Sequence, residues 1–585
     1  MSLLIGFLGA AGLDDIERPE KTYALAAARK QGFDAPVVLR WPSGQAWWFS
    51  TSNGNRGSGA VLQQGNRFAA YVGSVHWRGL TGVALLKILL AEFERPEDMP
   101  LQDFSGAFAM LFAGASEVHL FVDAVGIQKI YHSEERKVFS TSFLVCRSML
   151  TRARVHRQKA QEYVLLGGSH GLETAVEGVR ILDPTRTLEL QGMSSRLLHA
   201  PERWRVACTF TSLQQTVDGL ATRLADDFRA MVQAFGGNIG MALSGGFDSR
   251  LLLATLDHIG IAPTLFVYGG PADEDVQVAR RVAASMQLTI NVVDKRTVND
   301  RQPPFDSNRL ARSVAFLDGL PTDGAFDRGA DCITRLEQVH GGRLNLNGGG
   351  GEILRNFFYL RHRSFKAADV VSAFYSNWLP QAIASSEERR AFKRNMVASI
   401  LASLGLAEFG ADAVDRPLAR TDVELIYSLL RLRFWMGRNN TVAARHGAFL
   451  TPLVHPRLIQ LAAALPMQWK DFGRLEAKLI HHLSPRVAAT VSNYGFNFTS
   501  GPGLRHRLAL QPTMWRPLAL RSRSAPLKRL LGRLPTAAAP AEWLAAAGGP
   551  PAADWIDAAF LTDLAQVNRL MTLNAVLDRA YDGAV

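Results

Sequence analysis

Between Leu243 and Ser249 the chain reads Leu-Ser-Gly-Gly-Phe-Asp-Ser. An apolar run, Ile239 to Leu243, precedes it, and a helix-like run, Arg250 to Leu256, follows. The segment is therefore expected to be a strand, a glycine turn and a helix start. That geometry aims backbone N–H groups and a helix N-terminus at one point, which favours an anion. Gly245 and Gly246 let the backbone come close to a phosphate. Ser244 and Ser249 add hydroxyl donors. Asp248 suits an anion site only if a cation lies between carboxylate and phosphate, as Mg²⁺ does in nucleotide sites. The chemistry expected here is a pyrophosphate cradle for Mg²⁺ and ATP.

The motif is more specific than a lone glycine turn. It looks like the pyrophosphate loop of ATP enzymes that release AMP and PPi. It lacks the Lys-Ser/Thr ending of a Walker A loop and the third glycine of a dinucleotide fingerprint. An ordinary strand–helix turn is the plain alternative.

The elements around the motif place it. Up to about residue 200 the pattern is short strands: Val37–Leu39, Trp47–Phe49, Phe68–Val72, Ala107–Phe112, Val118–Val122 and Val138–Ser140. Helical stretches near Leu80–Phe93 and Arg157–Leu166 interrupt them. This predicts layered α+β structure. After Pro201 strands and helices alternate. Helices are expected over Gln214–Phe235, Arg250–Ile259 and Asp275–Met286. Strands are expected over Ile239–Leu243, Thr264–Tyr268 and Thr289–Val293. Such alternation predicts a parallel, doubly wound sheet, with its ligand at the carboxyl ends of the strands. Ala367 to Leu483 reads as mainly helical.

At 585 residues the chain is too long for one core. Its 47% hydrophobic and 20% charged content is that of a soluble globular protein. Net charge is +12. Part of it is local: Arg505, Arg507, Arg516, Arg521, Arg523, Lys528, Arg529 and Arg533 follow one another without an acid. Such a stretch suits RNA, a membrane surface, an acidic peptide or simply solvent. Cys146, Cys208 and Cys332 make neither a metal spacing nor a disulfide framework. A reducing cytoplasm is expected. Ser2 to Leu13 is apolar but has no basic start, and Asp14, Asp15 and Glu17 follow, so a buried strand is expected rather than a signal peptide. No run of about 18 apolar residues predicts a membrane span.

With both halves in view, the chain resembles the asparagine synthetase superfamily over roughly residues 1 to 500. Leu101-Gln102-Asp103-Phe104-Ser105-Gly106-Ala107-Phe108-Ala109 looks like that family's Leu-x-Gly-x-Phe-Ala strand. Val122-Asp123-Ala124-Val125-Gly126-Ile127-Gln128-Lys129-Ile130-Tyr131 looks like its Arg-Asp-x-x-Gly-x-x-Pro-Leu-Tyr segment. Leu346-Asn347-Gly348-Gly349-Gly350-Gly351-Glu352 is similar to its Ser-Gly-Glu-Gly-Ser-Asp-Glu segment, and Thr451 to Leu458 to its Val-Pro-Phe-Leu-Asp segment. The resemblance implies a layered, glutaminase-like (Ntn-type) α+β domain over 1–200. It implies an α/β doubly wound, ATP-pyrophosphatase-type synthetase domain with added helices over 205–500. A basic C-terminal extension over 501–585 would follow.

Departures narrow the activity implied. The family's nucleophilic cysteine at residue 2 is Ser2 here, a far weaker nucleophile near pH 7 without an added base. Val72-Gly73-Ser74 replaces the Asn-Gly-Glu segment that helps hold glutamine, and Val122 replaces an arginine. Glutamine hydrolysis is therefore not expected. The resemblance implies Asp248 and Glu352 as the magnesium-binding acids, with Leu243, Ser244, Gly245, Gly246, Ser249, Val267, Tyr268 and Gly348 around ATP. Gly349 stands where asparagine synthetases have glutamate and β-lactam synthetases have tyrosine. Asn493 stands at the family's catalytic lysine, so another cation must serve. Lys478, Arg438 and Arg433 are the candidates.

The reaction implied is ATP-dependent, AMP-forming amide ligation. With no ammonia from glutamine, the amine must come from the substrate or a second substrate. The altered glycine loop and missing nucleophile look most like the lasso-peptide macrolactam synthetases. These activate an Asp or Glu side chain of a precursor peptide for attack by its N-terminal amine. A precursor peptide and a leader-removing protease are the partners implied; no stable nucleic-acid complex is expected. Two alternatives stand: a small-molecule amide or β-lactam synthetase, and a non-catalytic scaffold for peptide or RNA.

Overall fold

A computed structural model describes residues 2–9, 19–51, 58–150, 153–191, 194–295, 305–326, 330–375, 377–406, 415–522, 541–547 and 554–578. In the first half, two six-stranded antiparallel sheets face each other. One runs Arg180–Ile181, Tyr131–Ser133, Val138–Ser140, Ser2–Leu8, Gly44–Ser50, Pro36–Trp41. The other runs Ser194–Leu197, Arg186–Glu189, Val118–Val122, Ser105–Ala113, Arg67–His76, Gly59–Gln64.

Period-2 alternation makes the layers. Leu4 and Leu8 point between the sheets, into a core with Val72, Ala109, Leu111 and Leu120. Leu3, Ile5 and Phe7 point the other way, onto Ala24, Ala28, Val145 and Met149 of the helices Pro19–Lys30 and Phe143–Ser148 and the turn after them. The outer face of the second sheet, through Tyr71, Phe108, Met110 and Phe112, packs on Leu85, Leu86, Leu89 and Leu90 of helix Gly82–Glu92. The result is helix, sheet, sheet, helix. Each strand expected from the pattern lies within one of these strands. The strand at Ser2 ends at Leu8, and residues 10–18 lie outside the described residues.

The second half is built on a five-stranded parallel sheet. Its order is Ile290–Val293, Thr264–Tyr268, Ile239–Ala242, Leu344–Leu346, Phe449–Leu450. Chain order thus runs outward one way from Ile239–Ala242, then returns to its other side. That reversal opens a crevice between the loops after Ile239–Ala242 and Leu344–Leu346, where open α/β sheets bind ligands. The two-residue strand Phe449–Leu450 lies within the region read as mainly helical. It is too short to show a period and is held by its neighbour Leu344–Leu346.

The halves share contacts, some buried and some half-exposed. Asp318 accepts hydrogen bonds from the backbone N–H groups of Phe143 (3.1 Å) and Leu144 (3.3 Å) and from the Ser142 hydroxyl. The Ser74 hydroxyl accepts from the Phe449 N–H at 3.1 Å. Arg457 pairs with Asp103 at 2.6 Å, which ties Thr451–Leu458 to the Leu101–Ala109 segment.

The C-terminal stretch carries core as well as basic residues. Helix Leu564–Leu577 is core, with Val567, Leu570, Leu573 and Val576 buried. Arg569 on it donates to the carbonyls of Val164 (2.8 Å) and Thr322 (3.1 Å), joining both halves. Of the basic run, Arg505, Arg507, Arg516 and Arg521 are described; Arg523, Lys528, Arg529 and Arg533 lie outside the described residues. Among the described residues no helix is long and apolar enough to cross a membrane.

Candidate active site

The strand Ile239–Ala242 ends at the turn Leu243–Gly246, and helix Phe247–His258 starts directly after it. The turn is braced from within. The Ser244 N–H donates to the Ser249 hydroxyl at 3.0 Å, the two hydroxyls lie 3.0 Å apart, and the Gly246 N–H reaches the Ser244 hydroxyl at 3.3 Å. Phe247 anchors the helix start. Its ring stacks on Phe498 with centroids 4.5 Å apart and leans on Tyr494 at 4.9 Å. Arg250, fully buried, donates to the Thr490 carbonyl at 2.6 Å. The loop and residues 487–498 are thereby fixed to each other.

The loop after Leu344–Leu346 crosses the first at close range. A Cβ on Gly348 would lie 3.0 Å from the Ser249 nitrogen, and one on Gly351 would lie 2.4 Å from Asp248 Oδ1. Gly348 and Gly351 are therefore required by the approach of the two loops, whereas a Cβ on Gly349 would meet Met436 Sδ at 2.3 Å and one on Gly350 would meet Val454 at 2.6 Å. That approach brings Asp248 and Glu352 to one cavity of about 380 Å³, together with Ser244, Gly246, Ser249, Asp275, Arg355, Asn493 and Tyr494.

The electrostatics of this cavity are those of crowded acids around one guanidinium. Arg355 Nη2 donates to Asp248 Oδ1 at 2.7 Å and Oδ2 at 2.9 Å. Its Nε lies 2.8 Å from Oε2 of Glu476, which is fully buried. Glu352 Oε2 accepts from the Tyr427 hydroxyl at 2.6 Å and from the Gly350 N–H at 3.1 Å. Burial lifts the Asp248 carboxyl to about 6; Arg355 pulls against that rise and Glu352 adds to it. Burial, then the charge of Asp248, raises Glu476 well above the usual glutamate range. Burial opposes the Arg355 charge, but Asp248 and Glu476 outweigh it and hold the guanidinium protonated.

Asp248 and Glu352 are hard oxygen donors facing the same cavity, with the Ser244 and Ser249 hydroxyls beside them, so they suit Mg²⁺ chemically. Among the described residues no group of three or more His, Cys, Asp or Glu side chains could hold a metal ion. Phosphate oxygens and water would have to complete such a shell. Asp275 occupies the cradle from the side: its Oδ1 accepts from the Gly245 N–H and from Asn493 Nδ2, each at 3.1 Å.

Other expected site residues are brought elsewhere. Lys478 is exposed and faces a neighbouring cavity. Glu476 and Lys478 are two residues apart on helix Arg474–Leu483, about 200° around the axis, so only Glu476 turns toward Asp248. Arg438 is buried between the halves, with its guanidinium 3.5 Å from Asp318 Oδ2 and 3.1 Å from the Leu317 carbonyl. Arg433 donates to the Val125 carbonyl at 2.7 Å. Neither reaches the cleft. Leu243 and Val267 are core residues, and Tyr268 accepts from Gln338 at the end of the next strand. These three and Gly348 do not line the cavity.

The cation in the cleft is Arg355, which sequence reading missed, along with Glu476, Asp275 and Tyr427. Two signals existed. Arg355 stands three residues after Glu352, and Asp275 stands at the start of the helix after the neighbouring strand, where ligands of such sheets bind. Glu476 and Tyr427 carried none, because only the tertiary fold brings their helices there.

In the first half, Ser2 is buried and its hydroxyl donates to the Ser58 carbonyl. Gly73 leaves no room for a side chain: its Cβ would meet the Ala107 carbonyl at 2.2 Å. Asp123 accepts from the N–H groups of Gly126, Ile127 and Gln128 at 2.9, 2.9 and 2.7 Å, and so shapes its own loop.

No family model matches the chain, and no curated protein matches it. Among solved structures the chain is similar to glutamine phosphoribosylpyrophosphate (PRPP) amidotransferase from B. subtilis complexed with ADP and GMP. Identity is 11% and the TM-score 0.21, over 50% of this chain and 65% of that chain. The similarity thus spans just under two thirds of that protein's length.

Proposed function

We propose that the protein is an ATP-dependent, AMP-forming amide ligase with a glutaminase-like first domain that no longer hydrolyses glutamine. The observation that carries this reading is the meeting of Asp248 and Glu352 in one cavity. They lie at the crossing of the Ser244–Ser249 turn and the glycine run. The turn and the N-terminus of helix Phe247–His258 receive the ATP phosphates. Asp275 yields the Gly245 N–H to a phosphate oxygen. Asp248 and Glu352 would hold Mg²⁺, and the ion would supply charge neutralisation for the leaving pyrophosphate. Arg355, which donates to both Asp248 oxygens, sets a positive charge beside the carboxylate and within reach of the phosphates. Glu476, 2.8 Å from the Arg355 Nε, holds that guanidinium in place.

A substrate carboxylate attacks the α-phosphorus, the bond to the β-phosphoryl oxygen breaks, and PPi leaves. An amine then attacks the acyl carbon, loses its proton and displaces AMP. Ser2, with its hydroxyl committed to the Ser58 carbonyl, supports the view that glutamine is not the amine source. The amine then comes from the substrate itself or from a second substrate. We favour a leaderless precursor peptide, activated at an Asp or Glu side chain and closed by its N-terminal amine into a macrolactam. A protease that removes the leader would act before it.

The test is release of AMP and PPi with ATP and Mg²⁺. Free aspartate plus ammonia, glutamine, and a leaderless peptide with an N-terminal amine and an internal Asp or Glu are compared. AMP only with the peptide, and a product lighter by one water, is the expected result. AMP with a small amino acid would move the protein to small-molecule amide synthetases. No AMP with any of them would overturn the ligase reading.

A further inference from the structure

Next to the Asp248 cleft lies a second cavity of about 510 Å³, and Phe472 lines both. The two are opposite in charge. The cleft presents Asp248, Asp275 and Glu352 against Arg355. The second presents Arg474, Lys478 and Arg507 against Asp471, whose carboxylate already accepts from Asn356 Nδ2 at 2.7 Å.

The basic groups converge by construction. Arg474 and Lys478 are four apart on helix Arg474–Leu483 and share a face. Like charges at that spacing repel unless an anion offsets them. Helix Leu504–Trp515 adds Arg507, whose guanidinium lies 5.7 Å from the Phe472 ring. Among the described residues, Arg474 and Lys478 have no ion pair and no side-chain hydrogen bond. His481 Nδ1, on the same cavity, is buried without a hydrogen-bond partner among the described residues. The divider is itself unusual: Phe472 has φ +61°, a left-handed conformation that bulky side chains rarely adopt. Such a conformation persists only where the surroundings hold it, and it keeps the ring between the cavities.

We infer that this second cavity is a carboxylate-binding subsite for the substrate. It grips an acidic side chain or a C-terminal carboxylate of a molecule whose reacting carboxylate lies across Phe472 beside Asp248. The inference rests on the ligase reading for what lies in the cleft, and it extends that reading to substrate class: a peptide or other chain long enough to span both cavities, with a second carboxylate. Lys478 then serves recognition and does not touch the reacting atoms.

The test is binding without nucleotide. A short peptide carrying an N-terminal dye, one internal glutamate and a free C-terminus is titrated with the full chain, and fluorescence anisotropy gives its Kd. The Arg474→Ala/Lys478→Ala variant is expected to weaken binding at least tenfold, and Lys478→Arg to retain it. Both residues are exposed, so thermal unfolding should be unchanged and serves as the folding control. C-terminal amidation and Glu→Gln in the peptide tell the sources apart. Loss with the first assigns the C-terminus; loss with the second assigns the side chain. Equal binding by a peptide altered at both positions, equal binding to the double variant, or no binding at all overturns the subsite. Mg·ATP binding, measured separately on the unmodified chain, tests the ligase reading by itself. Its absence would remove that reading and leave a peptide-carboxylate site standing.

Discussion

At the scale of single residues the cleft is a balance of three acids and one guanidinium, and each can be moved separately. Asp248→Ala should abolish PPi release while the fold stays intact, because the side chain faces the cavity rather than the core. Activity and the unfolding transition measured together check this. Asp248 must be ionised to hold Mg²⁺, and burial lifts its carboxyl to about 6. Mg·ATP binding to the free protein should therefore weaken as pH drops through about 6, well above the range of an exposed aspartate; an affinity unchanged down to pH 4.5 would refute the assignment. Arg355→Met leaves Asp248 and Glu476 buried without their counter-charge, which costs about 3 kcal/mol. The sign of its pH dependence follows. Without Arg355 the folded-state carboxyl values rise further above the unfolded ones, so stability is lost as pH rises through them. The variant should be more destabilised at pH 8 than at pH 5 in denaturant titrations. Asp248 and Glu352 were legible as candidate residues because their motifs are local. Arg355 was not, since an arginine three residues past a glutamate on a short helical turn is common. Its role depends on Glu476, which lies on a different helix.

At the scale of elements the glycine run works by what it lacks. Gly351→Ala would drive a methyl to 2.4 Å from Asp248 Oδ1, so the carboxylate or the loop must shift. A loss of Mg·ATP affinity of at least tenfold is expected, with a small stability change, measured by titration calorimetry and thermal unfolding. If affinity is kept, the two loops do not act as one site. Helix Arg474–Leu483 shows the limit of reading motifs along a line. Lys478 is near Glu476 in sequence but on the opposite face, and the 3.6-residue turn decides which of the two meets Asp248. Helix Leu564–Leu577 was hidden for a different reason. Its surroundings in the chain are rich in Ala, Pro and Arg, and its apolar face has meaning only against other segments, among them helix Arg157–Leu166, some four hundred residues earlier.

At the scale of the molecule, histidines buried between the halves tie stability to pH. Burial depresses His76 to about 4, and burial with Arg223 and His76 nearby depresses His455 to about 3. Their unfolded values are near 6.5. Between those limits the unfolded chain takes up protons that the folded one refuses, so the stability they contribute is full above pH 6.5 and is lost as pH falls. Each should cost about 2 kcal/mol between pH 7 and pH 5. His455 also caps helix Pro456–Ala464, accepting from the Arg457 N–H at 3.2 Å. His455→Asn keeps a capping oxygen and should make the pH 5 loss smaller by that amount, as urea titrations at the two pH values would show.

Alternation of two and near-four residues, with turns between, determined by itself the layered strands of the first half and the parallel sheet of the second. The Ser-Gly-Gly-x-Asp-Ser turn likewise marked the carboxyl end of one strand as the place for chemistry. These are local properties: a strand's face and a turn's backbone are set by neighbours in the chain. Tertiary structure alone decided which cation meets Asp248, why four glycines stand together, and that Arg438 braces two halves instead of entering the cleft. Those outcomes depend on close approach between segments about a hundred residues or more apart. There, desolvation and like charge set the energies, and no spacing along the chain encodes the distance.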